Sequence, residues 1–325
     1  PQRRQVLGSK VNGKDGSRKL VTKRSSPEQE DSDRIKARSF RNRDLYGPCL
    51  FRKTNQDCVE SNITVPVKLC CLSRKEMLSE LGRELNISSY TRDEIVPFAI
   101  MAAYSKLNAT KGVSFHSLVA RSEEFVELAK PLFEETGFYI SHVNGKMRAV
   151  EQERRLTKSR SVAKSHMANC QLWREGVDVP EWDLVVVADA VSNHVIAQQI
   201  IGRVSRRHPG KECGHVFIPD LFDEESGFEA GSEGYNAFVS IFQAMMADDP
   251  QLERDVLFVS GQNVENRTLD VTEYPPRLKE RFQLPASVPL PVQQEFIRNI
   301  VVEVGENKSK DSLWLNWYNL LEKYK

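Results

Sequence analysis

The sequence predicts an α/β fold in which helices cover a parallel sheet. Residues 184–188 form an apolar, β-branched run, which is typical of a strand buried on both faces. Polar residues follow this run at once, and residues 195–204 then carry the apolar spacing of a helix. Strand-like and helix-like segments alternate along residues 63–218 with short connections. Because parallel strands need a crossover, this alternation indicates a parallel sheet with helices on its faces.

The separate elements can be assigned in chain order. A helical stripe of apolar residues runs through residues 92–107, and a second one runs through residues 122–136. The predicted strands are residues 63–72, 112–117, 138–140, 161–169, 184–188 and 215–218, of which the last closes the sheet. Beyond Pro219 the chain is predicted to form an acidic loop at 220–233, helices at 235–248, 294–304 and 312–324, and a Pro-rich linker at 260–290.

Length and composition set broad limits. The 325 residues suggest about two domains, and an apolar fraction of 40% is enough for a real core. The net charge of +1 says nothing about nucleic acid as a partner. The sequence has no run of 18 apolar residues, so it predicts no membrane span. None of the six cysteines forms a C-x-x-C pair, so the sequence predicts buried thiols in a reducing, intracellular compartment rather than a zinc site.

Residues 1–43 are basic and poor in large apolar side chains, which predicts a disordered segment. A tail of this kind can hold phosphates, and the alternative is a merely solvated segment.

Two arginines stand out behind the buried strand. Arg203 and Arg206 are three residues apart, and on a helix they would lie on one face. Two forked, permanently charged guanidinium groups aimed at one place suit a polyphosphate. The alternative is a solvated basic helix end, where cations suit the helix dipole.

The motifs around these arginines resemble those of a known family. Gly176-Val-Asp178-Val-Pro180, followed by Gln199-x-x-Gly202-Arg203-x-x-Arg206, resembles motifs V and VI of superfamily 2 helicases, in the branch of the type III restriction enzymes and DEAD/DEAH helicases. Residues 112–117 resemble motif IV, and residues 141–147 resemble the turn that follows it. The resemblance implies that residues 44–225 form the C-terminal RecA-like domain of such a helicase.

The same resemblance implies residue roles. Asp178 and Gly176 would contact the ribose of ATP, and Gly202 would belong to the same nucleotide site. Arg203 and Arg206 would reach the γ-phosphate of ATP as arginine fingers. Gln199 would lie at the cleft between two motor domains. Ser117 and Asn169 would contact the nucleic-acid backbone, although a helix N-cap before Glu123 is an equally good reading of Ser117. Arg174 departs from the family, which has a small hydroxyl residue there.

Other parts of a complete motor are not found in the sequence. It contains neither a G-x-x-x-x-G-K-[ST] phosphate loop nor an Asp-Glu box for Mg²⁺. We therefore expect ATP and Mg to be held mainly by an N-terminal RecA-like domain that is missing here, and this chain alone to hydrolyse no ATP. Residues 226–300 are predicted to form a helical linker region. Residues 301–325 resemble the start of a helicase-associated domain, and the alternative is an ordinary amphipathic helix with an aromatic stripe.

Two functions remain open at this stage. The first is the C-terminal half of an ATP-dependent helicase or translocase with nucleic acid, DNA or RNA, as its partner. The alternative is a non-catalytic nucleic-acid-binding or interaction module that is derived from a helicase.

Overall fold

The computed structural model describes residues 10–12, 18–20, 55–170, 178–189, 194–247, 249–264 and 273–323. The chain divides into two compact units, Pro1–Lys53 and Thr54–Lys325. In the first unit, strands β1 (Lys10–Asn12) and β2 (Arg18–Leu20) pair in antiparallel fashion. Both strands lie within the segment that was predicted to be disordered, and the rest of residues 1–43 lies outside the described residues.

The second unit contains a sheet of seven strands. They are β3 (Val67–Ser73), β4 (Lys111–His116), β5 (Tyr139–Asn144), β6 (Ser165–Cys170), β7 (Leu184–Val187), β8 (Gly214–Phe222) and β9 (Phe282–Gln283). Their order is β5-β6-β4-β7-β8-β3-β9, and every neighbouring pair is parallel. The predicted α/β fold with a parallel sheet is confirmed.

Ten α-helices accompany these strands in the described ranges. They are α1 (Asn55–Glu60), α2 (Arg74–Leu81), α3 (Arg92–Lys106), α4 (Val119–Glu135), α5 (Ala149–Ser161), α6 (His194–Val204), α7 (Glu233–Ala247), α8 (Pro250–Val264), α9 (Pro276–Lys279) and α10 (Leu290–Lys323). No helix among the described residues has both the length and the apolar content that crossing a membrane requires.

Strand β7 lies at the centre of the sheet and is buried on both faces. Leu184 and Val186 belong to the core beneath α3 and α4, whereas Val185 and Val187 belong to the core shared with α6, α7, α8 and α10. This division follows from the strand period of two, which sends successive side chains to opposite faces. The two-sided burial explains why residues 184–187 are apolar without alternation.

The last strand of the sheet was wrongly predicted. The sequence indicated that residues 215–218 close the sheet, but β8 lies inside it, between β7 and β3. The edge beyond β3 is formed by β9, which comes from the middle of the predicted linker at 260–290. A strand of two residues has no alternation to detect, so only its pairing with Leu69 and Cys70 defines it.

The C-terminal helix also differs from the prediction. Helices at 294–304 and 312–324 were expected, but α10 runs unbroken from Leu290 to Lys323. Gly305 lies inside this helix, where α10 passes α8: a Cβ at this position would lie 2.2 Å from Ser260 Oγ. The glycine therefore permits close helix packing and does not end the helix.

A candidate nucleotide and nucleic-acid site

The carboxyl ends of the parallel strands meet at one edge of the sheet, and a polar cluster lies there. Arg92, the first residue of α3, donates from Nε to Asp220 Oδ1 at 2.7 Å and from Nη2 to Asp220 Oδ2 at 2.9 Å. Its Nη2 also donates to the carbonyl of Ala188, which follows β7, at 3.2 Å. The hydrogen bonds with Asp220 raise the pKa of Arg92. This two-pronged ion pair ties α3 to the ends of β7 and β8.

A second cluster joins Ser117, which follows β4, to Asp189, which follows β7. The Ser117 amide and hydroxyl both donate to Asp189 Oδ2, at 2.6 and 2.7 Å. Arg121 Nη1 donates to Asp189 Oδ1 at 2.6 Å. Burial raises the pKa of Asp189, but these hydrogen bonds outweigh burial and hold the pKa below its usual value. Asp189 is therefore a carboxylate at neutral pH.

This cluster removes one of the two readings of Ser117. Helix α4 begins at Val119, its N-cap is Leu118, and no side chain caps it. The N-cap reading is therefore wrong, because the Ser117 hydroxyl donates to Asp189 instead. The prediction that Ser117 contacts nucleic acid stays a prediction.

Asn169 has a different environment from Ser117. It lies inside β6, paired with Phe115 of β4 and Val143 of β5, and it has no exposed surface. In this conformation its side chain therefore offers no surface to nucleic acid.

A small cavity of about 30 Å³ lies beside the Asp189 cluster, between α3 and α4. That volume suits a water molecule and not a nucleotide. His116 lines the cavity and shares a hydrogen bond with Ser114 Oγ. The same hydroxyl also shares a hydrogen bond with His166. His166 in turn meets the Tyr104 hydroxyl at 2.7 Å. Burial lowers the pKa of His116 to about 4 and that of His166 to about 3, so both rings are neutral at pH 7.

Helix α6 carries three of the predicted site residues. Gln199 is half-buried, Gly202 is exposed with nothing near its missing Cβ, and Arg203 is buried with 5% of its surface exposed. The helix ends at Val204. The prediction that Arg203 and Arg206 share one helical face is therefore wrong, because Arg206 lies beyond the helix.

A local strand-like contact fixes Arg206 instead. The amide of Val65 donates to the Ser205 carbonyl at 2.8 Å, and Thr64 forms an antiparallel bridge with Arg206. From this position Arg206 Nη1 donates to Asp178 Oδ1 at 2.7 Å. The structure thus brings together two of the predicted site residues that are 28 positions apart.

The remaining predictions concern Gly176 and the metal. Gly176 lies outside the described residues. Within the described ranges, no group of three or more His, Cys, Asp or Glu side chains is placed to hold a metal ion.

Comparison with known proteins identifies this region. Residues 98–208 match the family model of the helicase conserved C-terminal domain. These residues make up about a third of the chain and are similar to that domain. The match begins within α3 and ends just after Arg206, so the matched region includes every predicted site residue.

The chain is also similar to individual proteins. The putative ATP-dependent helicase IRC3 of Saccharomyces cerevisiae is 22% identical over 130 residues, which are 40% of this chain and 19% of IRC3. A structure of the ATP-dependent Type ISP restriction-modification enzyme LlaBIII bound to DNA has a TM-score of 0.60 at 17% identity, covering 88% of this chain and 21% of that one. A fragment of a putative type I restriction HsdR subunit from Vibrio vulnificus YJ016 is 16% identical with a TM-score of 0.44, covering 55% of this chain and 37% of that one.

The likeness to LlaBIII is one of fold, and it agrees with the RecA-like sheet predicted for the helicase C-terminal domain. The chain spans about a fifth of the length of IRC3 and of LlaBIII.

Sequence reasoning missed several members of the site. Arg92, Arg121 and Asp220 were not considered, and Asp189 was treated only as the start of a loop. Asp189 and Asp220 carried a usable signal, because each is a carboxylate near the carboxyl end of a buried strand. Arg92 carried none, since it lies 128 residues from its partner Asp220.

Proposed function

We propose that this helicase C-terminal domain is the second half of an ATP-driven nucleic-acid motor. In this proposal an N-terminal RecA-like domain holds ATP and Mg²⁺, and the present domain closes over the nucleotide. The observation that carries the proposal is the Arg206–Asp178 ion pair at 2.7 Å. In this pair, the guanidinium that we assign to the γ-phosphate lies beside the carboxylate that we assign to the ribose, within the region that matches the helicase C-terminal domain.

The ion pair between Arg206 and Asp178 can break at little cost when a nucleotide binds. The side chain of Asp178 is 78% exposed and that of Arg206 is 32% exposed. Exposed pairs of this kind are worth at most about 1 kcal/mol, so a polyphosphate competes for Arg206 at little cost. ATP supplies the phosphoryl group that is transferred to water. Arg206 offers forked donors to the charge on that group, and Asp178 is left to accept hydrogen bonds from ribose hydroxyls.

The carboxyl edge is the proposed contact with nucleic acid. Arg121 has 46% of its side chain exposed next to Ser117, so it can offer a cation to a backbone phosphate. Ser117 donates its hydroxyl proton to Asp189, so in this arrangement the hydroxyl can serve a ligand only as a hydrogen-bond acceptor.

One observation favours the alternative, a non-catalytic module that binds nucleic acid. Arg203 is buried in this conformation, and a finger must reach the phosphate. We therefore assign the finger role first to Arg206, and we propose that Arg203 contributes only after α6 or its neighbours move. In the non-catalytic alternative neither arginine affects ATP turnover.

An arginine substitution in the full-length protein decides between the two functions. Arg206→Ala is expected to lower nucleic-acid-stimulated ATP turnover roughly 10³-fold or more, because fingers contribute rate enhancements of this order. Binding of a fluorescent ATP analogue should be nearly unchanged. The matched control is Arg207→Ala, which removes the adjacent cation, whose Nη1 donates to the Asn62 carbonyl. Equal loss of binding and turnover, or full turnover by Arg206→Ala, would count against the finger role.

A further inference from the structure

A strongly basic segment at the edge of the sheet is not used by the proposed function. Residues 145–164 contain seven Lys and Arg and two Glu, a surplus of five positive charges, whereas the whole chain has a net charge of +1. Six of the seven cations are exposed: Lys146, Arg148, Arg154, Lys158, Arg160 and Lys164. Helix α5 lies within this segment and packs against β5, the edge strand. The positive charge is therefore concentrated on one side of the domain.

A groove of about 280 Å³ lies between α4, β5 and α5, and we call it the edge groove. Its lining includes the cations Lys130, Arg154, Arg155 and Lys158 together with Tyr139 and His142. None of the described residues that line it is acidic. Nearby carboxylates reduce the charge only in part. Glu151 binds Arg154 and Arg155, and Glu134 lies 3.9 Å from Lys130. Glu123 Oε1 lies 3.4 Å from Nε2 of His142, which lines the groove.

The walls of the edge groove are held in place. Arg155 Nη1 donates to the His142 carbonyl at 2.9 Å, which fixes α5 against β5. Lys158 Nζ lies 4.6 Å from the centre of the Tyr139 ring. A cation held over an aromatic ring has already lost some of its freedom, so it loses less when it meets an anion. The groove thus pairs fixed positive charge with an aromatic face, as surfaces that bind single-stranded nucleic acid do.

The edge groove runs along β5 away from the carboxyl edge, because Tyr139 is the first residue of that strand and α5 returns towards the strand's amino end. The carboxyl ends of β4, β6 and β5 follow one another across the sheet, and β5 is the last of them. After β5 the chain turns through Lys146 and Arg148 and returns along the edge as α5. A nucleic acid that crosses the carboxyl edge from Ser117 towards β5 would reach Lys146 and Arg148 first and would then enter the edge groove along β5.

We propose that the edge groove binds the phosphodiester backbone of a single-stranded nucleic acid and extends its path beyond the carboxyl edge. This inference rests on the proposed function. The charge and the aromatic ring favour nucleic acid over an acidic protein segment, which would need no ring. Lys158 and Arg154 contact phosphates, and Arg155 holds the helix that carries them.

The experiment measures binding of fluorescein-labelled oligothymidylates of increasing length to the full chain by fluorescence anisotropy at several salt concentrations. Arg154→Gln with Lys158→Gln is expected to weaken binding of the longer oligonucleotides roughly tenfold at low salt. It should also reduce the salt slope by about 1.4, since each phosphate contact to a single strand contributes about 0.7. The matched control, Arg83→Gln with Arg254→Gln, removes two exposed arginines from other parts of the domain and should bind like the wild type.

The outcomes separate this inference from the proposed function. The edge groove is not a nucleic-acid site if the groove variant binds every oligonucleotide as the wild type does. The same conclusion follows if the groove and control variants lose affinity equally. In both cases the motor proposal stands. If the wild type binds no oligonucleotide of any length, both proposals fail. As a second measurement, photocrosslinking of iodouridine-containing oligonucleotides should label the peptide that carries Tyr139; labelling confined to other peptides would overturn the inference.

Discussion

At the residue scale, a carboxylate occupies the position where the nucleic acid is proposed to pass. Asp189 accepts from the Ser117 amide, the Ser117 hydroxyl and Arg121. This arrangement orders three donors, but it also sets a negative charge beside a polyanion. If nucleic acid passes here as proposed, we expect Asp189 to stabilise the edge and to lower the affinity for nucleic acid, because like charges close together repel.

Asp189→Asn tests this balance. The amide oxygen can still accept from Ser117, but the charge is gone and Arg121 is left uncompensated. We expect severalfold tighter binding of oligothymidylate in an anisotropy titration, since one cation becomes available to phosphate. Asp223→Asn is the control, because Asp223 is a carboxylate that accepts from the amides of Glu225 and Ser226 just after β8. No gain for Asp189→Asn, or an equal gain for both variants, would contradict the assignment.

At the element scale, the end of α6 is set by its contact with the start of β8. A Cβ at Gly214 would lie 2.2 Å from the Val204 carbonyl oxygen, closer than any real contact. Val204 is the last residue of α6, and Arg206 lies two residues beyond it. The glycine therefore allows the helix end to lie directly on the strand, which leads the chain to Thr64 and then places Arg206 beside Asp178.

Gly214→Ala should disturb this packing. We expect the free energy of unfolding in urea to fall by about 1–3 kcal/mol, the usual cost of forcing extra atoms into a packed site. Gly202→Ala is the matched control on α6, with nothing within 4 Å of its Cβ position. It should be neutral or stabilising by up to about 1 kcal/mol through helix propensity. Equal stability of the two variants would show that the Gly214 contact relaxes without cost.

At the scale of the whole molecule, buried neutral histidines couple stability to pH. Burial lowers the pKa of His116 to about 4, that of His166 to about 3 and that of His215 to about 4. The unfolded chain has histidine pKa values near 6.5 and so binds more protons than the folded chain between those limits. Their contribution to stability is complete above about pH 6.5 and is lost as the pH falls towards the folded pKa values.

Urea unfolding at two pH values measures this coupling. Between about pH 7.5 and about pH 5, each of the three histidines should lower the free energy of unfolding by up to about 2 kcal/mol. His215 lies outside the chain of hydrogen bonds that runs from His116 to Tyr104. The substitution His215→Gln should therefore remove one histidine's share of the decrease in the free energy of unfolding. Stability that does not change over this range would contradict the burial of these rings as neutral groups.

The sequence by itself determined the α/β class, the central strand and the order of the helicase motifs. These depend on apolar periodicity and on short motifs, which involve residues close together in the chain. Tertiary structure decided the strand order, the addition of β9, the end of α6 and the burial of Arg203. It also formed the Arg92–Asp220 and Asp178–Arg206 pairs, whose members are 128 and 28 residues apart. Such contacts leave no local pattern, because the free energy that fixes them comes from packing between distant elements.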